Sequence, residues 1–294
     1  LRPLLGIGYK VASIFLFVIM MAMVKILDER VPLGQTIFFR ALIGLCAVFF
    51  VYRLRGEFRQ TFTIVSVRKH INWALCCACA MMLWFTALTL IPLPEATAIG
   101  FVVPLITVAL AWLVLGERVR IFRWMAVLVG LLGVGIIIWP RLGAGADYGS
   151  SAALGAMVAL CSATLWALAQ IFLRRLTETE SSGSAVLSFS VATMVLGLVS
   201  IMWGWVNPGL IEWVAIAVCG LAGGFGQLCI AQSLRYGEAS TMAPFEYLTF
   251  PVASIVGIFF FSEYPDSNVW YGLPLVVVAG LFVMYRERQL SRRA

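Results

Sequence analysis

Glu246 is the only charged residue between Glu238 and Glu263, in the run Pro244-Phe245-Glu246-Tyr247-Leu248-Thr249-Phe250-Pro251. A carboxylate so placed can bind a substrate ammonium group or accept a proton. The alternative is a structural carboxylate that stays protonated or reaches an interface. Two prolines bear on the choice: Pro251 frees the carbonyl of Tyr247, and Pro244 that of Ser240, so unpaired backbone acceptors gather around Glu246. Ionisable groups inside long apolar runs are functional by default, which favours the first reading. Arg40 is equally isolated, with no other charge between Arg30 and Arg53. It could pair with Glu95, with Asp28 or with a substrate carboxylate, which its planar fork suits. A snorkelling side chain is the plainer account. Arg40 and Glu95 are candidates for a charge pair or gate.

The uncharged candidates surround these two. Trp84 and Trp166 lie in the middle of apolar runs, whereas membrane tryptophans ordinarily mark interfaces, as Trp73 and Trp139 do near run ends. Gln170 is four residues beyond Trp166 and shares its helix face. Gln227, Tyr247, Gly100 and Pro104 complete the set. Pro104 leaves the Gly100 carbonyl without its helical partner, and Gly100 lets a substrate come close to the backbone. Indole faces with amide and carboxylate groups suit a zwitterion with an apolar or aromatic side chain. For each residue singly, helix packing with polar glue is an equal reading.

Other chemistries find little support. Seven cysteines sit in apolar runs; Cys76 and Cys79 have C-x-x-C spacing, but no second thiol pair or histidine completes a metal site, so they read as packing. His70, the only histidine, and Lys10 read as residues near an inner interface, Lys10 without a role. The glycines at 220, 223, 224 and 226 fall inside an apolar run and read as close helix packing rather than a phosphate loop. Within the apolar runs no two carboxylates lie within one helical turn, so no catalytic residue, metal or cofactor is assigned, and a membrane-embedded transferase is disfavoured.

The elements that hold these residues follow from composition. The chain is 62% hydrophobic and 12% charged, with mean hydropathy +0.98. That is a polytopic membrane protein. The net charge of +7 reports topology rather than nucleic acid. Ten runs of spanning length appear, at about 4–27, 33–53, 70–91, 94–115, 121–139, 152–176, 185–206, 210–235, 239–262 and 268–285. The first is too long for a signal-peptide core and is expected to remain as a span. With a cytoplasmic N-terminus, 16 of the 21 Lys and Arg residues fall inside and 3 outside, which places both termini in the cytoplasm.

The runs repeat. Shifting Gly6–Leu27 by 149 positions lays Ser13 on Ser162 and Lys25 on Arg174, and Glu95-Ala96-Thr97 maps onto Glu238-Ala239-Ser240. Gln227 roughly matches Trp84. Five spans per half is odd, so the halves, residues 1–146 and 147–294, enter the membrane from opposite sides. Such inverted repeats build a central cavity and rock to give alternating access, and a duplicated, proline-broken span points to the binding site.

With Gly116-Glu117-Arg118-Val119 closing span four, Gly130, Gly133 and Gly135 in span five, and Phe39-Arg40 after Pro32, the chain resembles the EamA-type members of the drug/metabolite transporter superfamily. In the second half Ser262-Glu263-Tyr264-Pro265 stands in place of the Gly-Glu pair. The resemblance implies an all-α protein of the bacterial inner membrane that exports amino acids and related metabolites, and it tilts Arg40 towards a structural pair. Nucleotide-sugar and phosphate-ester antiporters are more distant relatives; they would want several embedded cations, and only Arg40 lies deep. The expected partners are a small amino-acid-like substrate and the bilayer.

Overall fold

The computed structural model describes residues 3–54, 64–116, 121–142, 151–177, 182–236 and 242–291. Among these, all regular structure is helical. The helices are α1 (Pro3–Leu27), α2 (Leu33–Leu54), α3 (Val67–Leu90), α4 (Leu93–Gly100), α5 (Val103–Leu115), α6 (Ile121–Leu142), α7 (Ser151–Thr177), α8 (Ser182–Val199), α9 (Leu210–Tyr236), α10 (Thr249–Phe261) and α11 (Ser267–Ser291). Short 3-10 turns continue α8 (Ser200–Trp203) and precede α10 (Ala243–Leu248). Eight helical stretches are long and apolar enough to cross a membrane, and two shorter apolar ones, Trp124–Trp139 and Ser267–Val283, bring the spans to ten. The motif residues Glu117, Arg118 and Val119 and the repeat residues Glu238, Ala239 and Ser240 lie outside the described residues.

The fourth and ninth spans are each built from two pieces. Span four breaks at Phe101–Val102, and Pro104 falls in the first turn of α5, where its missing N–H costs nothing. Pro244 and Pro251 do the same work in span nine. Pro244 opens the 3-10 turn, and Pro251 falls in the first turn of α10. The two breaks touch: the rings of Phe101 and Tyr247 meet edge to face with centroids 5.0 Å apart.

Both broken spans also end alike. Gly116 caps α5 with φ +65°, and Ser262 caps α10 with φ +55°, the only positive φ outside glycine among the described residues. The amide of Glu263 donates to the carbonyl of Gly257 at 2.9 Å, closing the α10 terminus. Ser262 thus holds the left-handed turn that Gly116 holds in the first half, although Ser lacks glycine's freedom there.

Helices from the two halves pack in pairs, α1 along α9, α3 along α7 and α6 along α11. Glycines set the distances. A Cβ at Gly133 would lie 2.7 Å from the Gly272 carbonyl, and one at Gly224 would lie 2.9 Å from that of Gly44. The glycines of α9 therefore serve close helix packing. Cys76, Cys77 and Cys219 are buried, and the Cys76 thiol donates to the Leu165 carbonyl at 3.2 Å. His70 is also buried, its Nδ1 2.8 Å from the Ser188 hydroxyl on α8. It packs against α8, which covers the start of α3.

Candidate functional site

A cavity of about 750 Å3 runs between the halves from mid-bundle towards the end of the bundle where α1 begins. One face of α1 lines it with Lys10, Ser13, Phe17 and Met20, residues spaced three and four apart. Facing them are α2 with Arg40, α3 with Trp84, α7 with Trp166 and Gln170, and α9 with Gln227. The broken spans contribute Gly100 and Glu246. Seven of the residues singled out from sequence therefore surround one space.

Three do not. Pro104 lies beyond the break in α5 and Glu95 is 3% exposed in the first turn of α4; neither lines the cavity. Tyr247 turns away as well. Its hydroxyl packs against Gly280 of α11 and leaves no room there for a side chain. Gly100 lines the cavity, but a Cβ on it would lie 3.1 Å from the Trp84 indole. The missing side chain lets the indole lie against the break, so it is the ring that approaches the backbone.

The charged groups are arranged differently from the sequence expectation. Glu246 accepts a hydrogen bond and ion pair from Lys10 Nζ at 2.7 Å. Lys10 is 7% exposed, so it is not a snorkelling residue; α1 carries it into the bundle, where the carboxylate offsets a charge that would be costly alone. Glu246 keeps 56% of its side chain exposed and is among the residues lining the cavity. Arg40, at 6% exposed, forms no ion pair with Glu95 or Asp28 among the described residues. Its Nε and Nη1 lie 3.3 and 3.0 Å from the sulfurs of Met20 and Met81, and its Cζ lies over the Phe85 ring, 5.4 Å from the centroid.

The other end of the bundle is tied shut. Lys25, near the end of α1, pairs with Glu263 after α10 and donates to the Ile91 carbonyl at 3.2 Å. Glu263 also accepts from the Leu93 amide at 2.9 Å, joining α1, α3, α4 and α10 at one point. Gln35 and Val206 exchange two hydrogen bonds, of 2.9 and 3.1 Å, and Arg30 pairs with Glu212 at 3.2 Å. The cavity reaches from mid-bundle towards one end, and these contacts cross the other.

The EamA-like transporter family matches this chain twice, over residues 4–139 and 153–286. The chain belongs to that family. It is 25% identical to the S-adenosylmethionine uptake transporter of Rickettsia prowazekii (strain Madrid E) over 269 residues, 91% of this chain and 88% of the relative. It is 30% identical to the pseudopaline exporter of Pseudomonas aeruginosa over 280 residues, 93% of this chain and 94% of that one. A riboflavin transporter of Rhizobium johnstonii is 24% identical over 250 residues, covering 83% and 80%. A solved crystal structure shares the fold with a TM-score of 0.67 at 19% identity, over 97% of this chain and 98% of that one. The EamA-like protein is thus a multi-pass membrane transporter and not an enzyme.

Sequence reading missed Lys10, the thioether setting of Arg40 and the Lys25–Glu263 tie. Lys10 was within reach: with Ser13, Phe17 and Met20 it marks one face of α1 at helical spacing.

Proposed function

We propose that this chain is a secondary transporter of the bacterial inner membrane that exports amino acids with apolar or aromatic side chains, or similar small amphipathic metabolites, by alternating access. The carrying observation is the cavity between the halves, framed by Trp84 and Trp166 and tied shut at one end by Lys25–Glu263. Its volume falls in the range of metabolite pockets and exceeds the needs of a single small amino acid. The relatives, named for S-adenosylmethionine, pseudopaline and riboflavin, support small organic metabolites as cargo. In this reading residues 1–146 and 147–294 are inverted repeats, both termini are cytoplasmic, and the structure is the inward-open state. Gln170 and Gln227 offer amide contacts, and Glu246 offers a carboxylate at the cavity mouth. The test is counterflow in proteoliposomes loaded with a mixture of amino acids and amphipathic metabolites, with mass-spectrometric analysis of what exchanges. Exchange of aromatic or apolar amino acids is the expected result. No exchange of any amino acid by well-folded protein would overturn the amino-acid reading.

A further inference from the structure

We propose that Arg40 is the binding site for a carboxylate of the transported molecule, at the deep end of the cavity. This rests on the reading that the cavity is the transport route. A guanidinium has five N–H donors and no acceptor, and here it is buried at membrane depth. Its polar contacts are two thioether sulfurs, which are weak acceptors. Among the described residues no carboxylate oxygen lies within 4.0 Å of it. A buried cation held this way lacks the partner that ordinarily offsets its burial.

The surroundings position the group without satisfying it. Phe85 lies beneath the head of the fork, and Met20 and Met81 hold two of its nitrogens with soft, adaptable contacts. The third nitrogen, Nη2, passes Gly223, where a Cβ would lie 3.0 Å away. Arg40 and Gly223 both line the cavity, so the glycine leaves the space that an incoming oxygen needs. A planar fork matches a carboxylate with two parallel hydrogen bonds. One cation also matches one carboxylate, whereas a phosphate ester with nearly two charges would bring a surplus.

The depth of the site says something about the cargo. Met20, which touches Arg40, is ten residues along α1 from Lys10, which holds Glu246, a rise of about 15 Å. The ammonium and carboxylate of one α-amino acid sit on adjacent carbons and cannot reach Glu246 and Arg40 together. A bound acid therefore places its carboxylate deep at Arg40 and extends its apolar body past Trp84 towards the mouth.

The probes are 3-phenylpropanoate and its uncharged amide, 3-phenylpropanamide, titrated calorimetrically into the purified full chain. The acid should bind at least tenfold tighter than the amide. Arg40→Gln should abolish that preference. Gly223→Ala, which keeps the charge and fills the space before Nη2, should cut it at least threefold and carries the test if Arg40→Gln does not fold. Equal binding of acid and amide, no binding of either, or a preference that survives in both folded variants would overturn the site. Counterflow separates this from the transport reading. Acid preference without exchange of any solute sinks transport and leaves the site, and exchange without acid preference does the reverse.

Discussion

Lys10 and Glu246 are joined by a 2.7 Å ion pair across 236 positions of sequence. The lysine is nearly buried and the carboxylate is half open to the cavity, so the pair ties α1 to the broken ninth span while presenting one of its charges to any solute that enters. A cationic solute that engages Glu246 must compete with Lys10, and releasing Lys10 loosens α1 from the ninth span.

The pair should be tested as a cycle. Glu246→Gln leaves Lys10 buried without its counter-charge. Because Glu246 is half exposed, the cost should be about 1–3 kcal/mol, below that of a fully buried pair. Lys10→Met, Glu246→Gln together should recover part of that loss of thermal stability, and both single variants should lose most transport. If stability losses in the double variant simply add, the two residues are not coupled.

Lys25–Glu263 holds the opposite end, with Leu93 and Ile91 drawn into the same knot. Glu263→Gln should weaken it by about 1–2 kcal/mol, a five- to thirtyfold shift in population towards the state open at that end. The measurement is maleimide labelling of Gln35→Cys from that side, in a background lacking the seven native cysteines. Labelling no faster than in the parent would show that Glu263 does not hold the closed state.

Trp84 lies against the helix break at Gly100 and lines the cavity. Trp84→Ala removes an aromatic face worth about 1–2 kcal/mol, and apparent affinity should fall roughly five- to thirtyfold in counterflow. Gly100→Val should do similar harm by another route, because its side chain displaces the indole. Unchanged transport in both would make Trp84 a packing residue.

The sequence showed much of this because the membrane constrains it tightly. Backbone in lipid must bond to itself, so span limits from apolar runs agree with the helices to within a few residues for most spans, and prolines announced both breaks. Trp84, Trp166, Gln170, Gln227 and Glu246 stood out as polar or aromatic residues in apolar runs, and the structure sets them around one cavity. Charge partners were illegible. Lys10 and Glu246 meet only because α1 lies beside the ninth span, a fact of packing between distant segments that no local pattern carries. Tyr247 failed for a related reason: neighbours on a 3-10 turn point in different directions, so Glu246 faces the cavity and Tyr247 faces Gly280.

Gly133 and Gly272 bring α6 and α11 together without lining the cavity, so they separate fold from function. Gly272→Val would force its side chain into the Gly133 carbonyl and Ile137. Overpacking of this kind costs about 1–3 kcal/mol. Melting temperature should fall, and binding per folded molecule should stay at the parent level. A variant with parent stability would mean that the two helices can separate freely.

Sidedness can be settled with two kinds of mark. In the proposed orientation, which rests on the 16-to-3 distribution of basic residues, the beginning of α1 and the end of the cavity beside it face the cytoplasm. A cytoplasm-active reporter fused after Ala294 should be active, and the same reporter inserted at Gly145 should be silent. Ten spans with an odd number in each half require that opposition. Gln170→Cys, which lines the cavity, supplies the second mark. In the cysteine-free background an impermeant maleimide should label it in inside-out vesicles and at least tenfold more slowly in right-side-out cells. Reporters that agree with one another would refute the inverted arrangement. Reporters that differ, with Gln170→Cys labelled faster from outside, would keep the topology and reverse the assignment of this conformation to the inward-open state.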